Sequence, residues 1–274
     1  MSRDKNQQMT IGIIGFGAFG QLVARYLNPY FRLYAHDPAA GLEASLEHTT
    51  QMLGVERVGQ KEAAGCDMVI LATPVASLGG VVEAIAPHLR PGALVLDVGS
   101  VKVAPADIMR RRLPAHVDIV ATHPLFGPQS ARDGVAGLKI ALCPVRGNRT
   151  RSVAAFLKTR LALDVIVTTP EDHDREAAMV QGLTHLIARV LVQMEPLPAR
   201  MTTRSFDLLM QAVDMVRHDA PEVFHAIEHA NPFAPEMRER FFEVAARINE
   251  ELNGRCLSST DRPCHSDHTL PLEA

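Results

Sequence analysis

Between Thr10 and Thr169, short apolar runs alternate with longer stretches in which apolar residues recur at helical spacing. The runs cover residues 10–14, 32–35, 68–72, 93–98, 118–121, 139–143 and 164–168, and each is rich in Val, Ile or Leu and closed by Gly, Pro, Asp or Thr. Such runs predict strands buried on both faces, and the amphipathic stretches between them predict helices covering a parallel sheet. After Pro170 the texture changes: Ala177, Val180, Leu183, Ile187, Val190, Leu191 and Met194 follow a helical period. They predict one long helix, which Pro196 and Pro198 end. Residues 203–218, 221–229 and 235–252 predict further helices. The pattern divides the chain into a sheet-containing domain over 10–169 and an all-helical domain over 170–253. Residues 254–274 show no periodicity and read as a flexible tail.

The first run leads into a glycine turn. In residues 11–27, IGIIGFGAFGQLVARYL, the glycines Gly15, Gly17 and Gly20 follow a strand and open a helix. Gly15 permits the tight turn, Gly17 lets the backbone approach a pyrophosphate, and Gly20 lets helix and sheet pack closely, with the helix N-terminus attracting the anion. A Gly-x-Gly-x-x-Gly string alone says little, but this one sits in the strand–turn–helix–strand frame the motif requires. The turn formed by Gly15, Phe16, Gly17, Ala18, Phe19 and Gly20 is therefore expected to hold a dinucleotide. The expected fold class is α/β, a Rossmann-type doubly wound parallel sheet followed by a helical domain. Asp37 closes the second strand, where a carboxylate accepts from the adenosine ribose hydroxyls and repels a 2′-phosphate. No Arg occurs in residues 36–40, so NAD is expected over NADP. A plain turn begun by Asp37 and Pro38 would leave that preference open.

Ligands of open parallel sheets sit beyond the carboxyl ends of the strands. Three polar sets fall there: Thr73 and Pro74, which would line the cofactor; residues 97–102; and Thr122, His123 and Pro124. Oxidising an alcohol requires a group that takes the hydroxyl proton, and an imidazole with a pKa near ~6.5 is suited to it at neutral pH. His123 is the candidate base. Ser100 would hold the same oxygen and fix its geometry.

The strings LATPVASL, LDVGSVK, THPLFGPQSARDGVAGL and EDHDREAAMVQGLTHL together resemble prephenate and arogenate dehydrogenases. The resemblance implies an NAD-dependent prephenate dehydrogenase of tyrosine biosynthesis, an oxidative decarboxylation yielding 4-hydroxyphenylpyruvate. It implies that His123 is the catalytic histidine on the ring hydroxyl, that Ser100 bonds to that hydroxyl, and that Gln181, His185, Ser130 and Thr203 contact substrate. Many relatives bind a substrate carboxylate with an Arg of the helical domain; Arg204, Lys102 and Arg217 are the candidates here. Plant-like arogenate enzymes place an Asp near the end of the strand that aligns with 139–143, where this chain has Cys143. An uncharged side chain there gives no attraction to an amine, so prephenate is expected over arogenate. The alternatives left open are an arogenate (cyclohexadienyl) dehydrogenase, a 3-hydroxyacid dehydrogenase or imine reductase, and a non-catalytic NAD-binding regulator.

Composition narrows the remaining classes. Of 274 residues, 47% are apolar and 22% charged, which is the balance of a folded globular chain. A formal net charge of −3 gives no broad footprint for nucleic acid. No run of about 18 apolar residues spans a bilayer. Residues 1–10 lack the apolar core of a signal peptide, so a cytoplasmic location is expected. The four cysteines are widely spaced and read as reduced thiols. Cys256, Cys264, His265 and His268 match no structural-zinc spacing, so no metal is expected. A helical domain this small, with so many apolar positions, is expected to bury them against a second copy in a homodimer.

Overall fold

The computed structural model describes residues 8–38 and 49–254, so the Cys256, Cys264, His265 and His268 grouping lies outside the described residues, as does the tail from Arg255. Eight strands form one sheet: β1 (Thr10–Ile14), β2 (Arg32–His36), β3 (Val55–Arg57), β4 (Met68–Leu71), β5 (Leu94–Asp97), β6 (Asp118–Pro124), β7 (Lys139–Arg146) and β8 (Asp164–Val167). Their spatial order is β3-β2-β1-β4-β5-β6-β7-β8. The first six run parallel in the doubly wound order, with the topological switch between β1 and β4. That order opens a crevice beyond the carboxyl ends of β1 and β4.

Helices cover both faces. On one, α1 (Ala18–Leu27) and α5 (Thr150–Arg160) pack over Ile11, Ile13, Leu33, Leu96 and Leu142. On the other, α2 (Gln60–Ala64), α3 (Leu78–Ile85) and α4 (Val103–Arg112) cover Ile14, Val69, Leu71, Val95 and Ile119. The buried residues of α1, namely Gly20, Leu22, Ala24 and Leu27, lie on the face turned to the sheet.

The expectation of a parallel sheet fails at its far edge. β7 runs antiparallel to β6, with His123 opposite Ala141 and Ala121 opposite Cys143. A parallel neighbour needs a crossover, normally a helix. The segment between β6 and β7 forms no helix and carries Gly134 and Gly137 at positive φ, so the chain turns back instead. α5 supplies a crossover between β7 and β8, and those two strands are parallel.

From residue 170 onward the described chain is helical: α6 (Pro170–Ala177), α7 (Leu183–Gln193), α8 (Arg204–Val216), α9 (Pro221–His225) and α10 (Ala234–Leu252). The expected long helix is continuous through residue 193 but contains a π-helical turn, Ala178–Gly182, between α6 and α7. A second π turn, Ala226–Ala230, follows α9. Each π turn widens the helix by an i→i+5 bond and shifts the phase of the residues that follow. Among the described residues, no helix is long and apolar enough to cross a membrane.

Candidate active site

The glycine turn stands at the switch point. Gly15 adopts φ +94, and a Cβ there would lie 2.4 Å from the Ala72 carbonyl oxygen at the end of β4. At Gly20 a Cβ would meet the Gly15 carbonyl oxygen at 2.3 Å, so this residue is fixed by internal packing. Gly17 differs, because a Cβ there would meet nothing within 4 Å. It caps α1 from outside, with Ala18 as the first helical residue, and leaves an open cradle at the positive end of the helix. Asp37, just past β2, accepts the Phe16 N–H at 2.6 Å and ties the second strand to the turn. Phe19 packs on Phe126 of the β6–β7 loop with ring centroids 6.5 Å apart. Across the crevice, the Thr73 hydroxyl oxygen is buried with no hydrogen-bond partner among the described residues, and its methyl group borders Gly15. A cradle of this shape beside an orphaned buried hydroxyl fits a dinucleotide.

Gly17→Asp is expected to keep the fold, since Asp is a good N-cap. Bulk and negative charge in the cradle would displace one or two charge-assisted contacts of about 1.5–3 kcal/mol each, weakening dinucleotide binding on the order of 10²-fold. Gly20→Ala, forced against Gly15, is expected instead to lower the unfolding temperature. Calorimetric titration and thermal melts separate the two; a Gly17→Asp protein that binds as well as the parent contradicts the cradle.

His123 lies on β6 and is 3% exposed. Its Nδ1 is 2.9 Å from Nε2 of His173, which is on α6, and the rings meet nearly edge to face. His173 Nδ1 is 2.7 Å from Asp174 Oδ1. The Asp174 carboxylate also accepts the backbone N–H groups of Lys102 at 2.6 Å and Val103 at 2.9 Å, where α4 begins. Asn231 donates to the Asp174 carbonyl oxygen at 2.8 Å. The position of α6 follows from its cap: Thr169 accepts the Asp172 N–H at 3.1 Å and Pro170 occupies the first turn. That cap fixes where His173 and Asp174 face the sheet.

Burial, and then the neighbouring His173 and Lys102, hold the His123 imidazole well below its ordinary value. Burial also lowers His185, which is 3.7 Å from Asp219, a gap too wide for a hydrogen bond; the same burial raises the Asp219 carboxyl. Both imidazoles are therefore neutral at neutral pH. Their folded-state pKa values lie below the unfolded value of ~6.5, so their contribution to stability is complete above that pH and is lost as pH falls towards the folded values. The unfolding midpoint is expected to be lower at about pH 5.5 than at about pH 7.5; a midpoint that rises on acidification contradicts this.

The other expected site residues divide. Ser100 follows β5, whose Asp97 pairs with Ala121 of β6, so it emerges at the same sheet edge as His123, and its hydroxyl makes no hydrogen bond among the described residues. Gln181 lies in the π turn with its side-chain oxygen buried and without a partner among the described residues. His185 is buried on α7. Ser130 and Thr203 are engaged locally: the Ser130 hydroxyl accepts the Gly127 N–H at 3.0 Å, and Thr203 caps α8 by accepting the Phe206 N–H at 3.2 Å.

Two expectations are corrected. Lys102 is no partner for a substrate carboxylate. It is wholly buried, and its ammonium donates to the Asp97 carboxylate and, at 2.6 Å, to the Thr122 carbonyl oxygen. Cys143 is no substrate contact either, because antiparallel β7 carries it away from the edge that holds His123. It is wholly buried beside Ala121, and burial pushes its thiol up to about 12. Of the other two candidate cations, Arg217 is paired with Glu195 at 2.8 Å and Asp214 at 3.2 Å, while Arg204 is exposed. His173, Asp174 and Asn231 are site residues that pattern reading missed. The one signal for them was a His-Asp pair in the first turns of an otherwise amphipathic helix.

Residues 32–163 match the family model described as prephenate dehydrogenase, nucleotide-binding domain. The chain is 28% identical over 285 residues to arogenate dehydrogenase 1, chloroplastic, of Arabidopsis thaliana, covering 99% of this chain and 42% of that protein. It is 30% identical over 264 residues to the probable arogenate/prephenate dehydrogenase of Methanocaldococcus jannaschii, covering 90% of this chain and 57% of that one. The chain thus spans about half the length of these curated relatives. In fold it is similar to the prephenate dehydrogenase from A. aeolicus, with a TM-score of 0.73 at 21% identity, covering 90% of this chain and 92% of that one. The nucleotide-binding match from β2 through β7 and the likeness carried on through the helices lead to one assignment: the chain belongs to the prephenate/arogenate dehydrogenase family.

Proposed function

We propose that this chain catalyses the NAD-dependent oxidative decarboxylation of a cyclohexadienol of the prephenate/arogenate type. The observation that carries the reading is a neutral, buried imidazole at position 123 on the sheet edge that also holds an open glycine cradle. Gly17, the α1 N-terminus and Thr73 would hold the dinucleotide, and Asp37 would receive the adenosine ribose. The carboxylate at Asp37, with no Arg in residues 36–40, supports NAD over NADP. A bound nicotinamide supplies the acceptor for the hydride.

His123 takes the hydroxyl proton as the carbinol carbon becomes a carbonyl. The ring carboxylate leaves as carbon dioxide, and the electron pair of the broken C–C bond enters the ring, making it aromatic and placing negative charge on the former carbonyl oxygen. His123 returns its proton there, so the product is a phenol and no net proton is released. Ser100 holds the oxygen throughout. Gln181 and His185 line the substrate end of the cleft.

This chemistry acts on the ring, which prephenate and arogenate share. Cys143, buried away from the His123 edge, gives no ground for choosing between them. Relatives named arogenate dehydrogenase support the amino substrate as a second reading. Spectrophotometry with the four combinations of NAD or NADP and prephenate or arogenate tests the proposal: reduction of NAD with at least one of the two is expected, and binding of dinucleotide without turnover of either overturns it.

We extend the proposal to a homodimer. Val190 and Met194 near the end of α7, Leu208, Leu209 and Met215 on α8, and Phe242 and Ile248 on α10 are exposed apolar side chains, more than a small helical unit leaves bare without a partner surface. Light scattering should give twice 29.9 kDa, and a monomer at micromolar concentration contradicts it.

A further inference from the structure

We infer that His173, held by Asp174, is a positioning residue that fixes the tautomer of His123, keeping the proton on Nδ1 and leaving Nε2 as the atom that receives the substrate proton. The inference rests on the dehydrogenase reading for its purpose, but not for its geometry.

Asp174 is wholly buried. An ionised carboxylate only accepts hydrogen bonds. Three N–H groups converge on this one: Lys102 N and His173 Nδ1 on Oδ1, and Val103 N on Oδ2. Two of the three are backbone groups whose protons cannot move, and they lie at the start of α4, where the helix dipole favours negative charge. Asp174 thus stays an acceptor without needing a buried cation beside it. His173 must carry its proton on Nδ1 to meet that acceptor.

His173 is 6% exposed and stands between His123 and Asp174, with one ring nitrogen on each. In its neutral form His173 has one ring proton, and the Asp174 carboxylate 2.7 Å away holds that proton on Nδ1. A neutral imidazole protonated on Nδ1 has a lone pair on Nε2. That lone pair faces His123 Nδ1 at 2.9 Å, a distance that requires one donor and one acceptor. The donor is His123. Its proton is therefore on Nδ1, and Nε2, which bonds to none of the described residues, holds the lone pair.

The arrangement does in two steps what a single carboxylate does in a Ser-His-Asp triad, where the acid orients the imidazole, selects its tautomer and stabilises the imidazolium. Here the order of the chain assigns the parts to different elements. The base is on β6 of the sheet, while the positioning pair is on α6, the first helix after the sheet. Asn231 holds the Asp174 carbonyl oxygen from beyond the second π turn, so the packing of the later helices bears on the orientation of the imidazole.

The test reads ring nitrogens directly. In protein labelled with ¹⁵N-histidine and free of cofactor and substrate, the His123 resonances, assigned by their loss in His123→Asn, should show a protonated Nδ1 and an unprotonated Nε2. The opposite tautomer overturns the inference. His173→Gln keeps an oxygen acceptor near the place of Nε2 and should retain the Nδ1–H form and most of the turnover. His173→Leu removes the acceptor. It should leave His123 a mixture of tautomers and lower kcat roughly 10–10²-fold with KM little changed, as expected for loss of a positioned base. Equal kcat values in the Leu and Gln variants, with both folded, also overturn it. Should neither cyclohexadienol be turned over, the dehydrogenase reading fails while the wild-type tautomer still decides this one.

Discussion

His123→Asn is expected to lower turnover roughly 10²–10⁴-fold, the usual worth of a general base, without loss of the fold. The Asn amide nitrogen falls near the place of the imidazole Nδ1 and can still donate to His173 Nε2, which in the parent lies 2.9 Å away. Only the second nitrogen, the proton acceptor, disappears. Dinucleotide binding should persist, since the glycine cradle lies on β1 and α1 and not on β6. Steady-state kinetics beside a thermal melt reads both effects. Turnover within a few-fold of the parent removes His123 from the chemistry.

Lys102→Met is expected to be the most damaging change to stability. The ammonium is wholly buried and satisfies both the Asp97 carboxylate and the Thr122 carbonyl oxygen. Asp97 in turn accepts the backbone N–H groups of Gly99 at 3.0 Å and Thr122 at 3.2 Å, so the pair locks the end of β5 to the strand that carries His123. Methionine fills the volume but leaves a buried carboxylate without its counter-charge, a loss of about 3–5 kcal/mol. For a chain of this size each kcal/mol moves the unfolding temperature by roughly 2–4 °C, so the melt should fall by on the order of 10 °C. Adding Asp97→Asn to the Met variant should recover part of the loss, because the orphaned charge is gone. A melt that does not move contradicts the pairing.

The parts of the fold legible in the sequence were those written as local pattern. Seven apolar runs mark seven of the eight strands, and the spacing of Gly15, Gly17 and Gly20 separates a strained turn, an open cradle and a packing contact, as the Cβ distances of the structure do. The exception, β3, has three residues of which only Val55 is buried, so it makes no apolar run. The direction of β7 depends on what joins it to β6, and a strand pattern reads the same in either direction. That reversal moves Cys143 from the site into the core and removes the argument built on it. The π turns are equally silent: Ala177, Val180, Leu183 and Ile187 keep spacings of three and four straight across the first of them.

The candidate site shows the same division. Residues that end strands were found because a sheet edge is where ligands gather. Residues that act through one another were missed. A lysine is usually a solvated surface charge, and Lys102 is the contrary case because Asp97 stands five positions before it. His173 and Asp174 look like ordinary polar residues near a helix start until the fold brings them to His123 and to α4.

A labelled hydrogen can be followed from the substrate ring to the dinucleotide. Prephenate and arogenate carrying deuterium at the carbinol carbon, each incubated with the protein and NAD, should yield from at least one of them a reduced dinucleotide that holds the deuterium, with one carbon dioxide released for each dinucleotide reduced. A reduced dinucleotide without deuterium, or a protein that binds NAD and leaves both substrates intact, would contradict the account.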